Sequence, residues 1–205
     1  HLKPLPSTNI KWLNSYKKIL CNKSFILNSI CSGLASSLVF SFIEVTPYFF
    51  QVKMGFSIIN YSLVSAAMIV VPVFFILLLK NKVSKMNMDT VMLYCASISV
   101  FFTILLILSY FIFGVNPLVI IVLCTLIITG NAFQYTATYV SAYKGVDDQV
   151  GASSALFCFI KIIMVAFFSL LVSSIYIENQ LVLGIVIGIP PLSILFLKII
   201  DRRFG

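Results

Sequence analysis

Lys161 and Glu44 are ionisable side chains that interrupt two long apolar stretches of this sequence. A charge inside an apolar segment of membrane-spanning length costs about 2.5–3.5 kcal/mol to insert, so such residues are functional candidates by default. Lys161 lies ~14 Å inside its segment, farther than its side chain can reach toward the edge. We expect it either to contact a bound molecule or to set the electrostatic potential of a wet cavity.

Glu44 lies near the far end of its own segment, where a carboxylate could take up a proton on one side of a membrane and release it on the other. The alternative is a hydrated, passive carboxylate at headgroup level. The depths of Glu44 and Lys161 differ by ~15 Å on a helical count, so no direct salt bridge is expected between them. Glu44 is the proton-coupling candidate, and both residues are candidates for a substrate cavity.

Four polar and aromatic residues are spaced so that they form a stripe along one face of a helix. It comprises Asn131, Gln134, Tyr135 and Thr138. The stripe suits a cavity wall that offers hydrogen bonds and a stacking ring. The alternative is hydrogen bonding between helices, at about 0.6 kcal/mol per contact. Further cavity candidates, from neighbouring segments with polar side chains, are Thr46, Tyr48 and Ser154.

The elements that carry these residues follow from the composition. Hydrophobic residues make up 60% of the 205-residue chain, charged residues make up 10%, and the mean hydropathy is +1.09. A soluble domain carries about 25% charged residues, so the bilayer must serve as the solvent here. At about 20 apolar residues per crossing, the sequence predicts an all-α membrane protein, a bundle of six transmembrane helices. The predicted spans cover roughly residues 25–50, 57–79, 90–113, 118–143, 151–177 and 181–200.

The chain divides into a basic amphipathic linker at residues 1–24, the six-helix bundle at 25–200 and a short tail at 201–205. Twelve of the 14 lysines and arginines fall on one set of connecting segments, which includes both ends of the chain. The positive-inside rule therefore predicts a multi-pass protein of the bacterial inner membrane with both termini in the cytoplasm. The net charge of +8 is explained by this topology, and no nucleic-acid partner is expected.

The sequence argues against an enzyme, a metal site and a cofactor. Its one histidine is His1, its five cysteines are scattered without a CxxC pair, and it has no glycine-rich phosphate loop. In the last span, Gly184 and Gly188 form a GxxxG pair that could be a dimer face. Because Pro190 and Pro191 follow at once and are expected to break the helix, a packed kink is favoured.

Several motifs resemble one family. They are the basic run Tyr16–Phe25, the runs Thr46–Gln51 (TPYFFQ) and Gly55–Ser57 (GFS), the run Gly130–Phe133 (GNAF) with Gly151–Leu156 (GASSAL), and the arginine-containing tail. In this order they resemble the bicyclomycin-resistance (Bcr/CflA) type of drug:proton antiporters in the major facilitator superfamily. The resemblance implies that the spans are helices seven to twelve, one half of a major facilitator fold. Four residues depart from the family pattern: Gln134 and Tyr135 replace a proline and an asparagine, Lys161 replaces a glutamine, and Glu44 is acidic where the family is usually small or neutral.

The resemblance implies half of a secondary active transporter that exports small drug-like or amphipathic compounds by proton antiport with alternating access. Its partners would be a small-molecule substrate, protons, the lipid bilayer and an N-terminal six-helix half, on the same longer chain or on a separate one. The alternative is a six-helix membrane scaffold without transport, such as a decayed or split transporter half.

Overall fold

The computed structural model describes residues 16–144 and 150–204, and this part of the chain contains helices and no strand. The helices are α1 (Lys23–Pro47), α2 (Ile58–Val83), α3 (Met88–Phe113), α4 (Pro117–Tyr143), α5 (Val150–Ser173) and α6 (Gln180–Phe204). The prediction of an all-α bundle with six long apolar helices is confirmed. Of the predicted linker, residues 1–15 lie outside the described residues, and 16–20 are helical.

Polar caps fix where the first four helices begin. The residue before each helix accepts a backbone N–H from the first turn through its side-chain oxygen, which stabilises a helix by about 1 kcal/mol. These caps are Asn22, Ser57, Asn87 and Asn116. The polar residues that separate the apolar runs in the sequence are therefore the residues that start the helices.

Each helix is long enough to cross a bilayer. The six candidate spans contain 24–31 residues, and their most apolar windows have mean hydropathies of 1.7–2.7. A crossing needs about 20 residues. Large apolar side chains also cover the outside of the bundle, as at Leu118 and Ile58, each 74% exposed. These properties are those of a multi-pass membrane protein whose outer surface contacts lipid.

The main helix contacts follow a repeat. Helix α1 packs against α4, α5 and α6, while α4 packs against α1, α2 and α3, and α3 packs against α6. This set of contacts is unchanged when α1, α2 and α3 are exchanged with α4, α5 and α6, respectively. Three crossings leave the chain on the side of the membrane opposite to where it started. The second three-helix repeat therefore begins on that side and is inverted relative to the first. The arrangement places α1 and α4 at the centre and leaves α2 and α5 at the periphery.

Glycines allow the closest helix contacts. A Cβ at Gly188 would lie 2.6 Å from Thr103 Cγ2, and one at Gly184 would lie 2.8 Å from Ile107 Cγ1. The GxxxG pair thus faces α3 within the same chain, where a dimer partner has no access. The predicted break of the last span is wrong, because α6 runs through Pro190 and Pro191 without interruption.

The turn after the first span also differs from the prediction, in which the first two spans leave residues 51–56 between them. Helix α1 continues as a π-helical segment, Tyr48–Lys53, and the chain turns at 54–57, where Gly55 has a φ of +69°. Pro47 has no backbone N–H, so the helical hydrogen bonds shift register after it. The extended end of α1 buries Phe50 completely, against Phe56 and Tyr61.

Candidate functional site

Lys161 occupies the centre of a membrane-spanning helix. It is the twelfth of the 24 residues of α5 and is half-buried. Its Nζ donates a hydrogen bond of 3.5 Å to the Tyr135 hydroxyl on α4 and lies 5.9 Å from the centroid of the same ring. A phenol ring and a long hydrogen bond stabilise an ammonium group without neutralising it. The structure therefore brings two predicted site residues together around one positive charge.

Among the residues that the structure describes, no carboxylate lies at the level of Lys161. The six acidic residues are Glu44, Asp89, Asp147, Asp148, Glu178 and Asp201. Asp89 and Asp201 lie at the start of α3 and the end of α6, and Glu178 lies in the connection between α5 and α6. Asp147 and Asp148 precede Lys161 by more than ten residues in the sequence. The remaining carboxylate, Glu44, has a different partner.

Glu44 is exposed on α1 and accepts a hydrogen bond of 2.8 Å from the Ser169 hydroxyl on α5. Ser169 follows Lys161 by eight residues of the same helix, which places it ~12 Å farther along. Within residues 16–144 and 150–204, one ion pair has a nitrogen–oxygen distance below 4.0 Å, and it joins Lys198 and Asp89. Glu44 and Lys161 therefore form no ion pair with each other. The carboxylate of Glu44 instead links the two adjacent helices α1 and α5.

The stripe on α4 faces the inside of the bundle. Asn131, Gln134 and Thr138 are at most 1% exposed, and Tyr135 is half-buried. Asn131 Nδ2 donates a bond of 2.9 Å to the Ala35 carbonyl on α1. Both amide atoms of Gln134 lack a partner among the described residues. Hydrogen bonding between helices thus accounts for Asn131, while Gln134 leaves an unpaired amide, at a cost of about 1–3 kcal/mol.

The other three candidates lie elsewhere. Thr46 is buried and shares a hydrogen bond of 3.1 Å with the Tyr61 hydroxyl on α2. Ser154 accepts a bond of 3.2 Å from the Tyr143 hydroxyl near the start of α5. Tyr48 lies at the far end of α1. The predicted residues therefore occupy several depths of the bundle. Among them, the Tyr135–Lys161 pair lies at mid-depth and carries a charge without a described counter-ion.

Sequence reasoning missed a cluster around Tyr48. Its hydroxyl donates a bond of 3.3 Å to Tyr176, and Lys53 Nζ lies 5.9 Å from the centroid of each ring. The hydrogen bond with Tyr48 raises the pKa of Tyr176 above its usual value. Lys53 is a cation set apart from the basic connections, and the two rings account for its position.

An ion pair with one buried partner was missed as well. Lys198 is 4% exposed, although its place near the end of the last span suggests a cytoplasmic surface charge, and its Nζ lies 3.0 Å from Asp89 Oδ1. A pocket of about 200 Å³ adjoins the pair, with Asn87, Asp201 and Arg202 in its wall. The pair joins the start of α3 to the end of α6.

Comparison of the chain with protein-family models, with curated proteins and with solved structures finds no match. Among the described residues, no group of three histidine, cysteine, aspartate or glutamate side chains could hold a metal ion. The resemblance carried by the sequence motifs therefore remains a hypothesis. Functional inference rests on the contacts of the helices and of Lys161, Tyr135, Glu44 and Ser169.

Proposed function

We propose that this chain is one half of a secondary active transporter of the major facilitator type, which exports small amphipathic compounds in exchange for protons. The observation that carries the proposal is the exchange symmetry of the helix contacts, since inverted three-helix repeats are a recurring architecture of such transporters. The charge at the middle of α5 adds support. A scaffold without transport would gain nothing from a lysine that is costly to insert.

The periphery of the bundle offers a place for a second half. Helices α2 and α5 each pack mainly against one other helix, α4 and α1, respectively. Apolar side chains such as Leu63 and Phe159, 66% and 61% exposed, cover their remaining faces. We propose that a further six-helix half, on the same longer chain or on a separate one, docks beside these helices. Rocking of the two halves would expose the Tyr135–Lys161 level to each side of the membrane in turn.

Glu44 provides a route for proton coupling. The ionised carboxylate accepts a charge-assisted hydrogen bond from Ser169 and so ties α1 to α5. Protonation removes the charge and weakens this bond. Uptake of a proton at Glu44 would therefore loosen α5, the helix that carries Lys161, and link the proton to the substrate level.

Proton-driven export is expected to depend on Glu44. Everted vesicles of the native membranes, in which any second half is present, are loaded with fluorescent amphipathic dyes under an imposed pH gradient. The variant Glu44→Gln should lose gradient-driven transport and keep dye exchange in the absence of a gradient, because the amide can still bond to Ser169 but cannot carry a proton. The control is Glu178→Gln, which changes a carboxylate in the connection between α5 and α6.

Three results would contradict the proposal. Removal of this chain could leave dye export unchanged, which would leave the scaffold as the better function. Alternatively, Glu44→Gln could behave as wild type, or Glu178→Gln could abolish coupling equally. Each of the latter results would remove Glu44 from the proton pathway.

We further propose that the protein lies in the bacterial inner membrane with both termini in the cytoplasm, because the lysines concentrate on that side. A cysteine at Val115, between α3 and α4, should then react with a membrane-impermeant maleimide in intact cells. A cysteine at Ser84, between α2 and α3, should react only after permeabilisation. Both variants carry Cys21→Ser, since Cys21 is exposed. The reverse labelling pattern would invert the topology.

A further inference from the structure

We infer that the compound taken by this bundle is an organic anion, and that Lys161 binds its carboxylate or sulfonate group. The inference rests on the proposed function, whose substrate it specifies. The family resemblance does not suggest it, because the resemblance expects a neutral glutamine at this position. Three observations support the inference: the missing counter-charge, the setting of the ammonium group and the surface beside it.

The first observation is the missing counter-charge. The four acidic residues that the structure describes, Glu44, Asp89, Glu178 and Asp201, all lie away from the level of Lys161, and Asp147 and Asp148 fall outside the described residues. Glu44 is bonded to Ser169, and Asp89 to Lys198. A cation in a low-dielectric setting without a counter-ion attracts an anion far more strongly than a surface lysine does. The charge of Lys161 is therefore available to a bound molecule.

The second observation is the setting of Lys161 between two helices. Its ammonium group contacts the ring and hydroxyl of Tyr135 on α4. Its backbone lies close to α1, since a Cβ at Gly33 would lie 3.5 Å from the Lys161 Cα. One turn away on each side along α5, Cys158 and Val165 offer no charge. An anion at this level would meet a positioned donor with the Tyr135 hydroxyl beside it.

The third observation concerns the rest of the ligand. Tyr139, one turn from Tyr135 on α4, is 47% exposed and contacts the rings of Tyr143 and Phe157. Phe157 is buried, so Tyr139 is the exposed ring of this group, one helical turn from the Tyr135 ring that contacts the cation. An aromatic body can stack there while its acidic group reaches Lys161. The predicted ligand class is thus an aromatic or amphipathic organic acid.

Two dyes with the same xanthene skeleton test the inference. Fluorescein is an anion and rhodamine 123 a cation at neutral pH. The chain is placed in nanodiscs of phosphatidylcholine, and fluorescence polarisation measures the binding of each dye. The wild type should bind fluorescein at least about tenfold more tightly than rhodamine 123. Lys161→Gln should remove this preference, Lys161→Arg should keep it, and Lys144→Gln, at the end of α4, should have no effect.

Equal affinity for the two dyes, failure to bind either, or a preference for fluorescein that survives in Lys161→Gln would overturn the inference. Alternatively, a carboxylate of a second half could pair with Lys161 in the native membrane. The isolated chain would then still prefer fluorescein, but native vesicles would not bind it. This result would also overturn the inference. Export of rhodamine 123 alone from native vesicles would leave the proposed transport intact and refute the anion. Binding of fluorescein at Lys161 without export would refute transport and retain the anion site.

Discussion

Replacing Asp89 with alanine is expected to destabilise the bundle by about 2–4 kcal/mol. Lys198 is 4% exposed, and the variant would leave its ammonium group buried without a counter-ion, whereas the side chain of Asp89 is 58% exposed. Loss of one partner from a fully buried pair costs about 3–5 kcal/mol, and the exposure of Asp89 lowers the expected value. The free energy of unfolding can be measured by steric trapping in bicelles.

Two further variants test whether the loss of stability comes from the ion pair itself or from the residues around it. Asp201→Ala removes a carboxylate from the wall of the pocket beside the ion pair. Asp201 forms no ion pair with any described residue at a distance below 4.0 Å, so this variant should lower the free energy of unfolding by less than about 1 kcal/mol. The double variant Asp89→Ala with Lys198→Met replaces the buried charge with an apolar chain of similar length, so it should regain most of the lost stability. If the double variant were as unstable as Asp89→Ala, desolvation of Lys198 would not be the cause.

The six helices could be predicted from the sequence because the hydrophobicity of each is summed over more than twenty residues. Apolar runs define the spans, and Asn22, Ser57, Asn87 and Asn116 define where the first four begin. The corrections fall on prolines, whose effects depend on neighbours. Pro190 and Pro191 do not break α6, and the turn after α1 lies beyond a π-helical segment that follows Pro47.

Sequence reasoning singles out residues whose chemistry is unusual for their place and misses contacts that depend on pairing between distant residues. Lys161 was identified because a charge at mid-membrane is conspicuous in any sequence. The Lys198–Asp89 pair joins residues 109 positions apart, and the burial of Lys198 follows from the packing of α3 against α6, which no local pattern specifies. Gln180 was assigned to a turn, yet it is buried and donates to the Leu106 carbonyl at 2.8 Å.

Gly33→Val is expected to lower both the stability of the bundle and its preference for fluorescein. A Cβ at Gly33 would lie 2.7 Å from Met164 Cβ, an atom fixed to the backbone of α5. Helix α5 packs mainly against α1, so the added side chain should push α5 away as a unit and lengthen the bond from Lys161 to Tyr135. We expect a loss of stability of about 1–3 kcal/mol and loss of the preference for fluorescein in the nanodisc assay.

Two further glycines supply matched controls for this variant. Gly188→Val creates a similar clash, since its Cβ would lie 2.6 Å from Thr103 Cγ2, but it strains the contact of α6 with α3. It should destabilise the bundle to a similar extent while Lys161 keeps its position and its ligand. Gly151→Val lies on α5 with nothing within 4 Å of its Cβ, so neither property should change by much. If Gly33→Val and Gly188→Val both abolished the preference for fluorescein, general loosening of the bundle would explain the effect. If only Gly33→Val did so, the position of α5 relative to α4 would be what defines the site.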